Sequence, residues 1–521
     1  MATDATAALE PTSDPATGPE LIAGLQHVPA MDLATTTARF VELGARFEML
    51  VGLDERSVGG DGLAVEVVLS DGRGPVRLRA GLPLDEPSYP SVSRLVPAAL
   101  WDERECKDLL GIVPTGHPDP RRLVLHERWP AGYHPLRKDV PADIAPPTGD
   151  RHYVPFEVHG EGVYQLPVGP IHAGVIEPGH FRFSAVGERV LHLDARLFFA
   201  HRGLEKLVEG RSFEAALPIV ERACGVCTVT HALGFAMAVE DLTRTWIPPR
   251  AAWDRVILAE LERLYNHVGD LGNICAGVGF QSGVARLGAL KERLLRLNEA
   301  VSGHRYLMGL VAPGGLRMEL DAGGLETLAA DLGPLDRDLA GAVRSVIRSE
   351  GVMARLRGTG FVAAGLVGAL GATGVAAKAS GNPADLRRDR AYCAYEELEV
   401  GSAVASTGDV AARFHVRAQE AHESIRLLSV ALDRRADGPT RAPLATEPVA
   451  GAVAIAAAEG PRGVSRIWLR AGPDGTVDRF HLRSASFANW PIVAAAVPGD
   501  LVADFPLINK SFELCYACTD R

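Results

Sequence analysis

The sequence predicts an α+β protein in two parts: a small α/β domain at the amino terminus, then a large domain in which β-rich segments at the ends surround a central helical bundle. Three observations predict this. The chain has 521 residues, too many for one ordinary domain. Its first quarter shows strand-like alternation beside one helical stretch. After a proline-rich break, long stretches of helical periodicity follow.

The first domain begins with helical spacing of apolar residues over residues 31–43. Residues 63–69 and 76–79 alternate as strands around the turn Ser70-Asp71-Gly72, which predicts a hairpin that the helix covers. The segment DVPADIAPPTGDR from Asp139 has three prolines and no periodic apolar pattern. We therefore predict a first domain at 1–140, a proline-rich linker at 141–155 and a second domain at 156–521.

The second domain opens with short β-like runs over residues 163–193, which predict bent strands or hairpins. Apolar residues then recur at intervals of three and four along three long stretches, which predicts helices at 253–271, 287–308 and 410–432. Several long helices in one domain imply a bundle. The apolar stretch 361–377 contains four glycines, so we predict a buried segment packed closely against another backbone rather than a membrane span.

Composition restricts the class of protein. Hydrophobic residues make up 47% and charged residues 23%, a globular balance, and the net charge of -11 argues against a nucleic-acid surface. Asp4 and Glu10 lie where a secretory signal would need a basic and then an apolar segment. Seven cysteines are too few for a disulfide framework. We therefore expect a cytoplasmic location, with any membrane attachment made through partner subunits.

Four of the cysteines form two CxxC pairs, Cys224 with Cys227 and Cys515 with Cys518. A CxxC places two sulfurs on one turn, close enough to share a metal. Structural zinc sites normally separate their pairs by a dozen or two residues, whereas 287 residues lie between these pairs. A redox unit would need a compact βαβ pattern that neither pair has. The remaining interpretation is a buried four-thiolate site, for which nickel, iron, zinc and copper(I) all stay open.

The segment ERACGVCTVTH from Glu221 resembles the first metal-binding motif of the large subunits of nickel-iron (NiFe) hydrogenases, and CYACTDR from Cys515 resembles the second. EGPRG from Glu459 is similar to a motif that lies over their metal centre. Further motifs resemble the complex-I-related, energy-converting branch: GPIHAGVIEPGHFRF, HRGLEK, YNHVGDLG and GHRYLMG. The segment 101–139 resembles the small peripheral (30 kDa-type) subunit of complex I. This fusion is the layout of large subunits of the formate hydrogenlyase (hydrogenase-3) type.

The resemblance implies a nickel held by four thiolates beside an iron that carries carbon monoxide and cyanide ligands. Cys224 and Cys515 would be terminal on nickel, and Cys227 and Cys518 would bridge the metals. Glu177 would relay protons at Cys515, and Arg462 would lie near the open metal position. Plainer interpretations are an ion pair of Glu177 with Arg182 and of Arg462 with Glu459. His231 would either hydrogen-bond a thiolate or be a core histidine.

His172 lies in a loop that binds quinone in complex I, and here it is expected to be structural or part of proton or conformational coupling. The lone cysteines Cys106, Cys275 and Cys393 are expected to be buried and inert. The charged segment 101–139 is expected to be a docking surface or a solvated face. Two features depart from the family pattern. Glu513-Leu514 replaces Asp-Pro, and the chain ends at Arg521, which is either a processed or an encoded end.

The function implied is the catalytic large subunit of a membrane-associated hydrogenase complex. It would interconvert protons and H2, with electrons from formate, carbon monoxide or ferredoxin. The chain has no third cysteine group, so 4Fe-4S clusters would reside in a partner small subunit. Other hydrophilic and membrane subunits of a complex I-like assembly would attach the chain to the inner face of the cell membrane. The alternatives are a metal-free scaffold subunit at the quinone site of a complex I-like enzyme, and a structural zinc protein.

Overall fold

The structure is a computed structural model that describes residues 24–71, 74–143, 146–150, 152–173 and 176–521. Asp4 and Glu10 of the expected non-secretory amino terminus lie outside these ranges, as do Gly72 of the predicted turn and Ile144, Ala145 and Arg151 of the predicted linker.

The first-domain elements are β1 (Gly24–His27), α1 (Leu33–Glu42), β2 (Arg46–Asp54), β3 (Leu63–Ser70), β4 (Pro75–Leu82), β5 (Ser88–Pro90), α2 (Leu100–Leu110) and β6 (Val113–Thr115).

The first-domain sheet has the strand order β1-β4-β3-β2, in which β1 is parallel to β4 and the other neighbours are antiparallel. The predicted hairpin is confirmed as β3 and β4. The predicted helix is confirmed as α1, which begins at Leu33 because Ala30–Asp32 form a 3-10 turn. One face of the sheet packs on α1 and α2, and these elements share a core that includes Phe40 and Val67.

The other face of the sheet packs on the second domain, which explains why β3 is buried along its whole length. Met49, Val51 and Val68 surround Trp468 of the second domain. The indole nitrogen of Trp468 donates a 2.8 Å hydrogen bond to the buried carboxylate of Glu66. The two domains therefore share apolar surface and a satisfied polar contact.

Helix α2 corrects the expectation for the first ten residues of the charged segment 101–139. Its acidic residues are buried rather than available to a partner or to solvent. Asp102 lies 2.9 Å from the guanidinium of Arg483, and Glu105 lies 2.8 Å from that of Arg521. Both arginines belong to the second domain, so these charges dock the chain onto itself.

The second domain contains three antiparallel sheets and the remaining helices. Its strands are β7 (Val163–Val168), β8 (His180–Val186), β9 (Arg189–Arg196), β10 (Val311–Ala312), β11 (Gly315–Leu316), β12 (Val453–Gly460), β13 (Gly463–Ala471) and β14 (Val477–Arg483). Its helices are α3 (Leu204–Leu207), α4 (Phe213–Glu221), α5 (Thr228–Leu242), α6 (Pro249–Gly277), α7 (Gln281–Ser302), α8 (Ala322–Ile347), α9 (Glu350–Leu356), α10 (Ala364–Ala369), α11 (Gly374–Lys378), α12 (Leu386–Asp389), α13 (Val410–Arg434), α14 (Ala485–Ala496), α15 (Phe505–Phe512) and α16 (Tyr516–Asp520).

Helices α6, α7, α8 and α13 pack together as the predicted central bundle, with the sheets β7-β8-β9 and β12-β13-β14 toward the ends of the domain sequence. The helices predicted at 253–271 and 410–432 are confirmed as α6 and α13. The helix predicted at 287–308 is wrong at its end, because α7 stops at Ser302 and Gly303 caps it in a left-handed conformation with φ +75°. Helix α8 was not predicted.

The glycine-rich stretch 361–377 is only partly as predicted. Phe361 is 57% exposed, and Gly365 and Gly368 in α10 also face solvent. The close backbone contact occurs at Gly374, where a Cβ atom would lie 2.5 Å from the Cα of Gly463. Within the described ranges, none of the helices is both long and apolar enough to cross a membrane.

Candidate functional site

The first cysteine pair lies between α4 and α5. Cys224 is in the turn, and Cys227 is the residue at the amino-terminal cap of α5. The first backbone N–H groups of α5 have no partner within the helix. The carboxylate of Glu262 from α6 accepts hydrogen bonds from two of them, those of Val229 at 2.7 Å and Thr230 at 3.0 Å. Burial raises the pKa of Glu262 to about 7. The bundle thus fixes the turn that carries the first pair.

The second pair follows α15. Glu513 reverses the chain in a left-handed conformation with φ +49°, at the position where Glu513-Leu514 departs from the family pattern. Cys515 then caps α16, and its Sγ accepts a 3.2 Å hydrogen bond from the backbone N–H of Cys518. The hydroxyl of Ser484 donates to the carbonyl of Cys518 at 2.8 Å. The strand end before α14 therefore holds the second pair in place.

The four cysteine sulfurs converge at one point. The Sγ atoms of Cys224 and Cys515 lie 3.1 Å apart, although these residues are 291 positions apart in sequence. Those of Cys224, Cys227 and Cys518 all lie within 4.8 Å of one another. Cys515 is partly exposed, whereas the other three are buried. The structure therefore brings sulfurs from both cysteine pairs together, as the sequence predicts.

These thiols influence one another strongly. Hydrogen bonds from the three neighbouring thiols hold the pKa of Cys224 well below its usual range. The hydrogen bond to Cys224 raises the pKa of Cys227 and of Cys515, and burial raises that of Cys518. The cluster without metal is therefore one thiolate, at Cys224, stabilised by three protonated thiols. Binding of a metal by all four sulfurs requires the other three to lose their protons, because the thiolate is the form that ligates metals.

Glu177 approaches the cysteines from the segment before β8. Its Oε2 lies 3.9 Å from the Sγ of Cys515 and accepts a 2.9 Å hydrogen bond from the backbone N–H of Ala517. Partial burial of the carboxyl raises its pKa. Glu177 is an exposed residue, but among the described residues no ion pair joins it to Arg182, so the pairing in the plainer interpretation is absent. Gly174 and Val175 of this motif lie outside the described residues.

Arg462 reaches the cysteines from the loop between β12 and β13. Its Nη1 lies 3.4 Å from the Sγ of Cys227 and donates to Oδ1 of Asn266 at 3.0 Å, while its Nε donates to the carbonyl of Glu513. The side chain is 8% exposed. Glu459 is bonded elsewhere, to the backbone N–H of Leu386 at 3.0 Å. The guanidinium is therefore a buried cation beside the thiols.

The two candidate histidines behave differently. His231 is buried, and its Nε2 lies 3.2 Å from the Sγ of Cys518. Burial lowers the pKa of His231 to about 4, so the ring is neutral. Its Nδ1 is buried with no hydrogen-bond partner in the described part of the chain. His172 instead bonds within its own loop, with Nε2 at 2.7 Å from the carbonyl of Gly179.

The lone cysteines lie apart from this group. Cys106 and Cys275 are buried, as expected, and Cys393 is half-buried. Burial raises the pKa of all three thiols, that of Cys275 to about 11. They therefore remain protonated, as expected for inert thiols.

Several residues that position the site were not predicted from the sequence, among them Asn266, Glu262 and Glu513. Asn266 donates to the carbonyl of Val226 at 2.8 Å while it holds Arg462. Glu262 holds the first turn, and the carbonyl of Glu513 accepts from Arg462. Asn266 lies in the motif YNHVGDLG, and Glu262 lies just before it. This motif therefore marked the part of the sequence in which both positioning residues lie. Glu513 is marked in the sequence only by its departure from a family pattern.

Comparison with known proteins agrees with this geometry. The chain matches the family models described as "Respiratory-chain NADH dehydrogenase, 30 Kd subunit" over residues 27–145, "Nickel-dependent hydrogenase" over 202–271 and "Respiratory-chain NADH dehydrogenase, 49 Kd subunit" over 277–450. The nickel-dependent hydrogenase match contains the first cysteine pair.

Individual proteins give the same picture over longer stretches. The chain is 33% identical to formate hydrogenlyase subunit 5 of Escherichia coli (strain K12), over 92% of this chain and 86% of that protein. It is 34% identical to an NADH-quinone oxidoreductase subunit of Salinispora tropica, over 66% of this chain and 90% of that protein. A chain of the membrane-bound sulfane sulfur reductase, an archaeal respiratory membrane complex, superposes with a TM-score of 0.65 at 25% identity, over 69% of this chain and 99% of that one.

Both halves of the predicted fusion are thus confirmed, and the relatives are hydrogenase and complex-I-like subunits. The chain belongs to the family of hydrogenase large subunits related to complex I.

Proposed function

We propose that this chain is the catalytic large subunit of a NiFe hydrogenase that interconverts protons and H2. The observation that carries the proposal is the meeting of four cysteine sulfurs from two distant segments, with Glu177 3.9 Å from Cys515 and Arg462 3.4 Å from Cys227. A structural metal site needs the sulfurs alone. A carboxyl and a guanidinium beside the same sulfurs favour a catalytic site over a structural metal site.

The residues present fit a nickel-iron group. Four sulfur donors select soft or borderline metals. Three of the sulfurs are buried and that of Cys515 is partly exposed, which leaves one side of the site open to small molecules. Cys224, Cys227, Cys515 and Cys518 would hold the nickel-iron group, whose iron would carry carbon monoxide and cyanide ligands. When bound, the group supplies the centre at which H2 is split or formed.

The chain's own residues handle the proton and the charge. Cys515 Sγ holds a proton that Glu177 Oε2 accepts or returns, and a carboxyl with a raised pKa suits transfer in both directions. Arg462 supplies a fixed positive charge beside Cys227, oriented by Asn266. His231, in the tautomer protonated at Nε2, would donate to the metal-bound Cys518 sulfur 3.2 Å away and fix its orientation.

Electrons must reach the site from outside the chain, since its other three cysteines are isolated. We propose a partner small subunit with 4Fe-4S clusters, and further hydrophilic and membrane subunits that hold the assembly at the inner face of the cell membrane. Formate, carbon monoxide or ferredoxin oxidation would supply the electrons.

A second candidate is a metal-free scaffold subunit at the quinone site of a complex I-like enzyme. It is favoured by the 34% identity to the NADH-quinone oxidoreductase subunit of Salinispora tropica. The four convergent cysteines are the observation against it, because a scaffold has no use for them.

The test is hydrogen evolution from a reduced viologen dye by the purified complex, compared between the native protein and Cys515→Ser. We expect evolution by the native complex and near-complete loss in the variant, with Cys275→Ser as the matched control that retains the rate. Equal rates for native protein and Cys515→Ser would refute the assigned ligand, and no evolution by the native complex would favour the scaffold.

A further inference from the structure

The side chain of Arg202, in the segment HRGLEK, bonds to backbone carbonyls beside both cysteine pairs. Arg202 is not a sulfur ligand, and it is distant in sequence from Glu177. Its Nη2 donates to the carbonyl of Ala223 at 2.8 Å and to the carbonyl of Ala517 at 2.9 Å. Ala223 immediately precedes Cys224, and Ala517 lies between Cys515 and Cys518. One nitrogen therefore joins the two segments that supply the four sulfurs.

The geometry suits a guanidinium in particular. Its terminal NH2 group carries two hydrogens in one plane, which can point to two separate carbonyls. The second NH2 group donates to the carbonyl of Arg222 at 3.1 Å, just past the last residue of α4. A positive charge at the carboxyl end of a helix is favourable, because the final carbonyls lack partners within the helix.

The backbone around Arg202 is tied to the second pair as well. Its N–H donates to the carbonyl of Arg521 at 2.6 Å, and the ring of His201 lies 2.6 Å from the carbonyl of Asp520. The Asp520 carboxylate accepts from the N–H groups of Phe198 and Ala200, at 2.8 and 2.9 Å. The side chain is thus anchored on the second pair while it reaches across to the first.

We propose that Arg202 is a positioning residue that holds the two cysteine pairs in register, so that the chain can bind a metal with all four sulfurs at once. This inference rests on the proposed function, in which the four sulfurs share one metal site. Without the clamp, each pair keeps its own turn, but the pairs separate, and a metal is bound by two sulfurs rather than four.

The experiment is a titration of the purified, metal-free full chain with Co²⁺ alone, in which sulfur-to-cobalt charge-transfer absorbance reports the number of bound thiolates. We expect the native chain to reach the intensity of four thiolates. Arg202→Met, similar in length but without donors, should reach about half that intensity, with Kd raised at least about tenfold, which corresponds to about 1.4 kcal/mol.

Arg122→Met is the matched control. Arg122 also binds three backbone carbonyls, those of His126, Trp129 and Pro130 at 2.8–3.1 Å, but it lies in the first domain. Its substitution removes a comparable clamp, so it should leave the four-thiolate spectrum unchanged. A general loss of folding would appear in both variants, whereas loss of register appears only in Arg202→Met.

The outcomes separate the two proposals. A native chain with no sulfur-to-cobalt absorbance would contradict the four-sulfur site itself. A native signal of four thiolates that Arg202→Met reproduces, with the same Kd, would overturn the clamp alone. Should Arg202→Met fail to fold, Arg202→Lys serves instead. It keeps the charge but loses the second NH2 group, and we expect at least a threefold rise in Kd, with no change counting against the clamp.

Discussion

The Sγ atoms of Cys224 and Cys515 lie 3.1 Å apart, one in the turn before α5 and the other at the cap of α16. Neither element is long or rigid enough to impose this distance alone. Glu262 holds the first turn against the bundle, and Ser484 holds the second at the end of β14. In our proposal Arg202 then keeps the two turns in register. The site is therefore a product of the tertiary fold.

This distance predicts the behaviour of the chain when metal is removed. Two thiols in contact oxidise readily, so mild treatment with diamide should link Cys224 to Cys515 before it modifies the buried Cys106 or Cys275. Peptide mapping by mass spectrometry measures the linkage. Bound metal should prevent it, and formation of links at Cys106 first would contradict the described arrangement.

Glu177→Gln should lower hydrogen evolution by about 10²-fold or more, because the amide keeps the shape of the side chain but cannot carry the proton. Nickel content should stay unchanged, since Glu177 holds no metal in our proposal. The control is Glu161→Gln, an exposed carboxyl just before β7. A rate near that of the native complex would remove Glu177 from the proton path.

Arg462→Lys should also slow turnover, by about 10²-fold, with the metal retained. The ammonium group keeps the charge but cannot bond Asn266 and the carbonyl of Glu513 while it faces Cys227. Arg211→Lys, at an exposed arginine, is the control. Steady-state rates with a reduced dye decide the matter, and full activity of Arg462→Lys would show that charge alone is sufficient.

Gly374→Ala should destabilise the fold by about 1–3 kcal/mol, because φ is +60° and the added Cβ would lie 2.5 Å from the Cα of Gly463. The displaced loop carries Arg462, so turnover should fall as well. Gly365→Ala is matched in the same segment, where a Cβ meets no atom within 4 Å, and it should be neutral or slightly stabilising. Chemical denaturation of both variants gives the comparison, and equal midpoints would contradict the contact.

Asp102→Ala should cost about 3–5 kcal/mol, because it leaves the buried guanidinium of Arg483 without its carboxylate across the domain boundary. The exposed Asp85→Ala should stay within about 0.5 kcal/mol of the native chain. Denaturant unfolding monitored by circular dichroism is the measurement. If both variants unfold alike, the two domains are not coupled through this pair.

The spacing of apolar residues predicted those helices and strands whose pattern is visible within their own short stretch of sequence. The hairpin of β3 and β4 and the helices α6 and α13 followed from apolar spacing alone. Helix α8 was missed because Pro334 and several glycines interrupt its pattern, and the bundle supplies the stability that its own sequence lacks. The charges of α2 looked solvated because their partners are distant in sequence: Arg483 lies 381 positions from Asp102.

The residues of the candidate site also divide into those that the sequence predicted and those that it did not. The cysteines, Glu177, Arg462 and His231 were found because their motifs are specific. Arg202 lies in a motif, but its role was not predicted, since its partners are backbone carbonyls, which leave no mark in the sequence. The ion pair of Glu177 with Arg182 was a reasonable inference from neighbours in sequence, yet the fold turns Glu177 toward Cys515.

Elemental analysis of the native complex shows directly whether the four cysteines bind nickel. We expect one nickel for each copy of this chain, lost in Cys224→Ser and retained in Cys275→Ser. A native complex with full electron-transfer activity and nickel near zero would contradict it.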